Sequence, residues 1–105
     1  LYIDQAKFHD QFAHDVPAEK TALMAVGQRP ITEEALTEKS GEPAWKSLPS
    51  YFVFGDRDKN IPAQALRFMA ERAGSKRTVV VESASHVVMV SQPQTVAHLI
   101  EEAAK

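Results

Sequence analysis

The second half of the chain alternates short β-type runs with helical stripes, and this alternation constrains the fold more than any other feature. Tyr51 to Phe54 is a run of aromatic and β-branched residues stopped by Gly55. Pro62 opens a helical stretch with Leu66, Met69, Ala70 and Ala73 on one stripe, and Gly74 closes it. Thr78 to Val81 is a continuous β-branched run, which suits a strand buried on both faces. A polar loop follows from Glu82 to His86. Ser91 then reads as the cap of a last helix, with Pro93 in its first turn and Gln94 at capping-box spacing. The inward stripe of that helix is Val96, Leu99, Ile100 and Ala103. Strand, helix, strand, helix predicts an α/β fold in which two strands pair in parallel through a right-handed crossover. Two parallel strands do not make a sheet that stands alone, so residues 50–105 read as the edge of a larger one.

The first half, residues 1–49, is polar-interrupted and helical in short pieces. Leu1-Tyr2-Ile3-Asp4 reads as the end of a strand. Asp15 reads as an N-cap, with Pro17 in the first turn and Gly27 as the C-terminal stop. Thr32 caps a second short helix through Glu33, Glu34 and Leu36, ending near Gly41. Pro30, Pro43 and Pro49 keep the pieces short.

Bulk properties narrow the function classes. The chain has 105 residues, 44% apolar and 25% charged, the balance of one small globular domain. A net charge of −2 gives no basic footprint for nucleic acid or an anionic membrane surface. There is no cysteine, which excludes disulfides, thiolate nucleophiles and cysteine-zinc sites and fits a cytoplasmic location. No run reaches the length of a membrane span and no signal-peptide pattern is present. The first residue is Leu1, so the chain is expected to be a piece of a longer one.

In open α/β sheets, functional groups sit on loops beyond the carboxyl ends of the strands. Here the loop after the first strand is Gly55-Asp56-Arg57-Asp58-Lys59-Asn60-Ile61-Pro62, and the loop after the second is Ser83-Ala84-Ser85-His86-Val87-Val88-Met89. Neighbouring parallel strands bring both loops to one end of the sheet. A carboxylate there can reach a histidine Nδ1, fix its tautomer and stabilise the imidazolium.

At these residues the chain resembles the α/β-hydrolase superfamily, whose triad runs serine, acid, histidine along the chain. Gly55 to Asp58 with Ile61-Pro62 is similar to its acid loop, and Ser85-His86 to its histidine loop. The nearest branch is the methylesterase and hydroxynitrile-lyase group, which shares the aspartate-x-aspartate-lysine stretch and a final helix like Val96-Ala97-His98-Leu99-Ile100. The resemblance implies that residues 50–105 are the C-terminal portion of an α/β-hydrolase core and residues 1–49 part of its helical cap. It further implies Asp58 as triad acid, His86 as general base, a small ester as substrate and no cofactor. Two departures matter. The lyases carry a lysine directly after the catalytic histidine, where this chain has Val87, so ester hydrolysis is preferred. The family's Gly-x-Ser-x-Gly elbow is absent, since no two of Gly27, Gly41, Gly55 and Gly74 stand four apart. The chain alone is therefore expected to be inactive, completed by a missing N-terminal half or self-associated through an exposed strand edge.

Plainer accounts exist for each of these residues. Asp58 would serve as a turn carboxylate capping the helix from Pro62 or pairing with Arg57, and His86 as a loop histidine bonded to backbone. Asp56 is expected to hold the turn. His9 and His14 are flanked by Asp10 and Asp15, but five residues is not the helical spacing of a ligand pair. His98 is expected to be exposed. Phe8, Phe12, Leu23, Met24 and Trp45 are expected to pack, and Val87, Val88 and Met89 to pack behind the histidine loop. Two non-enzymatic readings compete: a self-associating fragment, and a hydrolase-fold receptor that binds a small molecule without turning it over.

Overall fold

The computed structural model describes residues 1–105. Three helices fill the first half: α1 (Gln5–Phe12), α2 (Ala18–Val26) and α3 (Glu33–Thr37), followed by a 3₁₀ turn at Ala44–Lys46. The second half holds β1 (Tyr51–Gly55), α4 (Ala63–Arg72), β2 (Arg77–Val81), α5 (Val88–Ser91) and α6 (Pro93–Ala103). β1 and β2 pair in parallel from Tyr51 opposite Arg77 to Gly55 opposite Val81, the crossover being made by α4. Helices α4, α5 and α6 all pack on β1, and α1 packs on α2. No helix is long and apolar enough to cross a membrane.

The α/β character and the strand–helix–strand–helix order are as the pattern predicts. The first half departs from it in instructive ways. Leu1 to Asp4 form no strand, and Asp4 is instead the N-cap of α1, accepting from the Ala6 amide at 2.8 Å. Helix α2 starts after Pro17, whose carbonyl takes the Lys20 and Thr21 amides. Asp15 is thereby two residues too early to cap it. Thr32 does cap α3, with Oγ1 accepting from the Ala35 amide at 3.2 Å. That helix stops at Thr37, well short of Gly41.

Near the C-terminus Ser91 is not the cap of α6. Gln92 precedes Pro93, whose ring disfavours helical backbone in the residue before it, and at φ −131° and ψ 56° it separates α5 from α6. Ser91 lies in α5.

The largest apolar cluster joins Phe8, Ala13, Val16 and Ala25 of the first half to Val87 of the second, with Ile3, Phe12, Met24 and Val90 against it. Leu23 and Trp45 take no part in it. Leu23 is 71% exposed, and Trp45 lies under the Arg72 guanidinium. In α4 Ala70 is buried, as is Ala73 at its C-terminal cap, while Met69 is exposed. In α6 Leu99 is buried, but Ile100 is 63% exposed. Met89 also faces out, whereas Val87 and Val88 are buried. Strand β2 is not buried on both faces: Thr78 is exposed and Val79 to Val81 are half-buried. Each strand has one neighbour within the chain, and the β2 face carrying Arg77 and Val79 borders, with α6, an open recess of about 350 Å³.

Candidate active site

The parallel register ends both strands at one level, with Gly55 opposite Val81. The two following loops are then stitched together. The Asp56 amide donates to the Val81 carbonyl at 3.1 Å, and the Arg57 amide donates to the Ala84 carbonyl at 3.1 Å. Asp56 Oδ1 accepts from the Ser83 amide at 2.7 Å. Ser83 has φ +59°, in the left-handed region that L-residues seldom enter, and this bond holds it there. Asp56 thus holds the turn, as the sequence suggests.

On this frame Asp58 and His86 meet. Asp58 Oδ2 lies 2.7 Å from His86 Nδ1. The other oxygen, Oδ1, accepts from the Asn60 amide at 2.8 Å and the Ile61 amide at 2.9 Å. Asp58 thus neither caps α4 nor pairs with Arg57; one oxygen holds its own turn and the other faces the imidazole. The Asp58 side chain is 3% exposed, so its charge is met by three donors in a nearly dry position, where such bonds are strongest. An ionised carboxylate accepts and does not donate, which assigns the Nδ1 proton to the imidazole and leaves Nε2 as the basic nitrogen. The His86 ring is 31% exposed, and its Nε2 has no hydrogen-bond partner among the 105 residues. The imidazole is thus fixed through one nitrogen while the other is left without a partner.

The first half supplies the surroundings. The Phe12 ring lies 5.0 Å from the imidazole, centroid to centroid. His14 Nε2 donates to the Arg57 carbonyl at 3.1 Å, and Lys59 Nζ donates to Asp10 Oδ1 at 2.7 Å. Asp15 Oδ2 accepts from the Ser85 amide at 3.1 Å. Burial works to raise the Asp15 pKa, but the Ser85 and Ser91 hydroxyls and the Ser85 amide outweigh it and hold the carboxyl below its usual range. Of these donors, the amide is the one at ordinary hydrogen-bond geometry. At the surface, Lys59 lowers the Asp10 pKa through its hydrogen bond and its charge. His9 Nδ1 pairs with Thr21 Oγ1 at 2.9 Å. The four residues of the His9–Asp15 group turn to four different partners, and no three His, Asp or Glu side chains converge as a metal site. A recess of about 540 Å³ opens beside His86, lined by Tyr2, Ile3, Phe12, Ile31, Leu36 and Arg29 among others.

The sequence pattern brings the loops of Asp58 and His86 to one end of the sheet, where the two side chains do meet, but it does not show the contacts that Phe12, His14 and Asp15 make with these loops. Their partners lie 43 to 74 residues away, and no local spacing announces such contacts. Asp15 looked like an N-cap, and its use elsewhere follows from the helix starting at Ala18.

A parallel β-pair with an acid loop and a histidine loop at its carboxyl end defines the class. The chain matches the alpha/beta hydrolase family over residues 2–99, and it belongs to that family. Among curated relatives it is similar to a pimeloyl-[acyl-carrier protein] methyl ester esterase of Aeromonas hydrophila, 34% identical over 85 residues. That match covers 81% of this chain and 32% of the relative, so the chain spans about a third of the relative's length.

Proposed function

We propose that these residues belong to a serine hydrolase of the carboxylic-ester type, with Asp58 as triad acid and His86 as general base. The observation that carries the reading is the 2.7 Å bond between Asp58 Oδ2 and His86 Nδ1, with Nε2 left free and accessible. In this mechanism a serine and its oxyanion donors come from a part of the protein outside these 105 residues. His86 Nε2 takes the proton from the serine hydroxyl as its oxygen attacks the ester carbonyl. The same imidazolium then returns the proton to the departing alcohol, and Asp58 stabilises it throughout. Water repeats the cycle on the acyl-enzyme. No cofactor is needed for these steps.

The similarity to a methyl ester esterase makes a methyl ester of an acyl chain the first substrate class to try. The apolar recess beside His86 suits the acyl part. The test is hydrolysis of a chromogenic short-chain ester by the full-length protein. His86→Ala is expected to lower kcat by about 10⁶. Asp58→Asn, which leaves the shape but not the charge, is expected to lower it by about 10⁴. Wild-type turnover by His86→Ala would overturn the reading.

A further inference from the structure

The backbone that carries His86 is held from outside its own loop. Ser85 is fully buried, and its amide donates to Asp15 Oδ2 across 70 residues of chain. Ser85 Oγ in turn accepts from the Val87 amide at 3.3 Å, closing a hydroxyl turn around His86. Both flanks of the histidine are thereby pinned, and the anchor common to them is Asp15. That residue stands on a packed corner between α1 and α2. Ala13 before it and Val16 after it are buried in the same cluster as Val87. The corner and the histidine loop therefore move together.

A carboxylate is an expensive group for this task. Its Oδ1 is buried with no hydrogen-bond partner, and Asp15 caps no helix. The Ser85 and Ser91 hydroxyls face the carboxyl, and the contact made at hydrogen-bond geometry is the Ser85 amide.

We infer that Asp15 is a positioning residue, setting through the Ser85 amide the backbone that aims His86 at Asp58 and at the attacking serine. Its effect on turnover rests on the hydrolase reading above. Its effect on the Asp58–His86 bond rests on geometry alone.

The experiment uses the full-length protein with Asp15→Ala, Asp15→Asn and, as a control on the exposed first turn of α2, Glu19→Ala. Two quantities are measured. One is kcat and KM on the chromogenic ester, with active sites counted by a fluorophosphonate. The other is the proton NMR signal of the His86 Nδ1–H, which moves to low field when bonded to a carboxylate. Asp15→Ala is expected to lower kcat per titrated site by about 10², with KM little changed and the low-field signal lost. Asp15→Asn keeps an acceptor for the Ser85 amide and is expected to restore most of the rate and the signal. Glu19→Ala should change neither. Should Asp15→Ala fail to fold, Asp15→Ser, whose hydroxyl is too short to reach the amide, must show the same losses. A role in stability alone would reduce the number of titrated sites while leaving kcat per site and the signal at wild-type values, and that result overturns the inference. If His86→Ala remains active, the hydrolase reading fails, and the NMR signal still decides the role of Asp15.

Discussion

A Cβ on Gly55 would run into the Ala84 carbonyl and stand 2.5 Å from the Ser85 carbonyl oxygen. The histidine loop crosses the end of β1 so closely that its main chain occupies the space of a side chain. Gly55→Ala must push that loop away, and overpacking of this kind costs on the order of 1–3 kcal/mol. Because the displaced atoms are the backbone just before His86, activity should fall with stability. Gly74 makes the contrast: its φ is +61° and nothing lies within 4 Å, so Gly74→Ala carries a conformational cost of about 1 kcal/mol and should leave activity intact. Urea unfolding and ester hydrolysis of the two full-length variants, measured side by side, check both halves of the prediction. In sequence Gly55 is simply where a strand stops, and its second duty depends on a loop that starts almost thirty residues later. The meeting of Asp58 and His86 was easier to read, since parallel pairing alone brings the two loops to one end. What that pattern does not reveal is which oxygen goes where. The split of Asp58 between its own turn and the imidazole emerges from the folded loop.

At the scale of elements, β1, β2 and the helices α4 and α6 were legible, whereas the strand expected at Leu1–Asp4 is absent and the ends of the short helices shift. β1 and β2 are local runs of aromatic and β-branched residues. The ends of α2, α3 and α6 are instead decided by backbone dihedrals beside Pro17, Glu38 and Pro93, and the cap residues that the pattern favours at α2 and α6 fall out of register. The α1–α2 corner is the clearest case. Asp15, displaced from the helix start, reaches the histidine loop, and its lowered pKa has a consequence for stability. A carboxyl with a folded pKa below its unfolded value stabilises the fold in its ionised form. That stabilisation is complete above the unfolded value, near pH 4, and is lost as the pH falls through the folded value below it. Asp10 contributes in the same direction, but it is fully exposed and salt screens it. Unfolding free energies of the full-length protein between pH 2 and 7 at high salt should therefore drop below about pH 4. Asp15→Asn should flatten part of that drop. An unchanged slope in that variant would assign the acid sensitivity to other carboxylates.

The whole molecule is looser than a free-standing domain of its length. Its radius of gyration is 15.0 Å, whereas a compact domain of this size comes to about 13 Å. Only 14 of 105 residues are buried, and Leu23, Leu36, Phe68 and Ile100 all face outward. The sheet is a pair of strands, each with one neighbour, and an open recess lies between one face of β2 and α6. The sequence pattern already pointed to the edge of a larger sheet, but not to the way residues 1–49 seat on it, because the Phe8–Val87 cluster is assembled from positions with no shared period. An unpaired strand edge next to exposed apolar side chains is a template for pairing with a further chain. We propose that the 105 residues, expressed alone, associate through β2. Light scattering on a sizing column should then give a dimer or larger species whose proportion rises with concentration. Val79→Lys puts an inward-pointing charge on β2, a device by which natural sheets protect their edges, and should shift the population towards monomer. A wild-type chain that stays monomeric at high concentration with cooperative unfolding would mean that α6 and the helical segment cover enough of the sheet, and association through β2 would be ruled out.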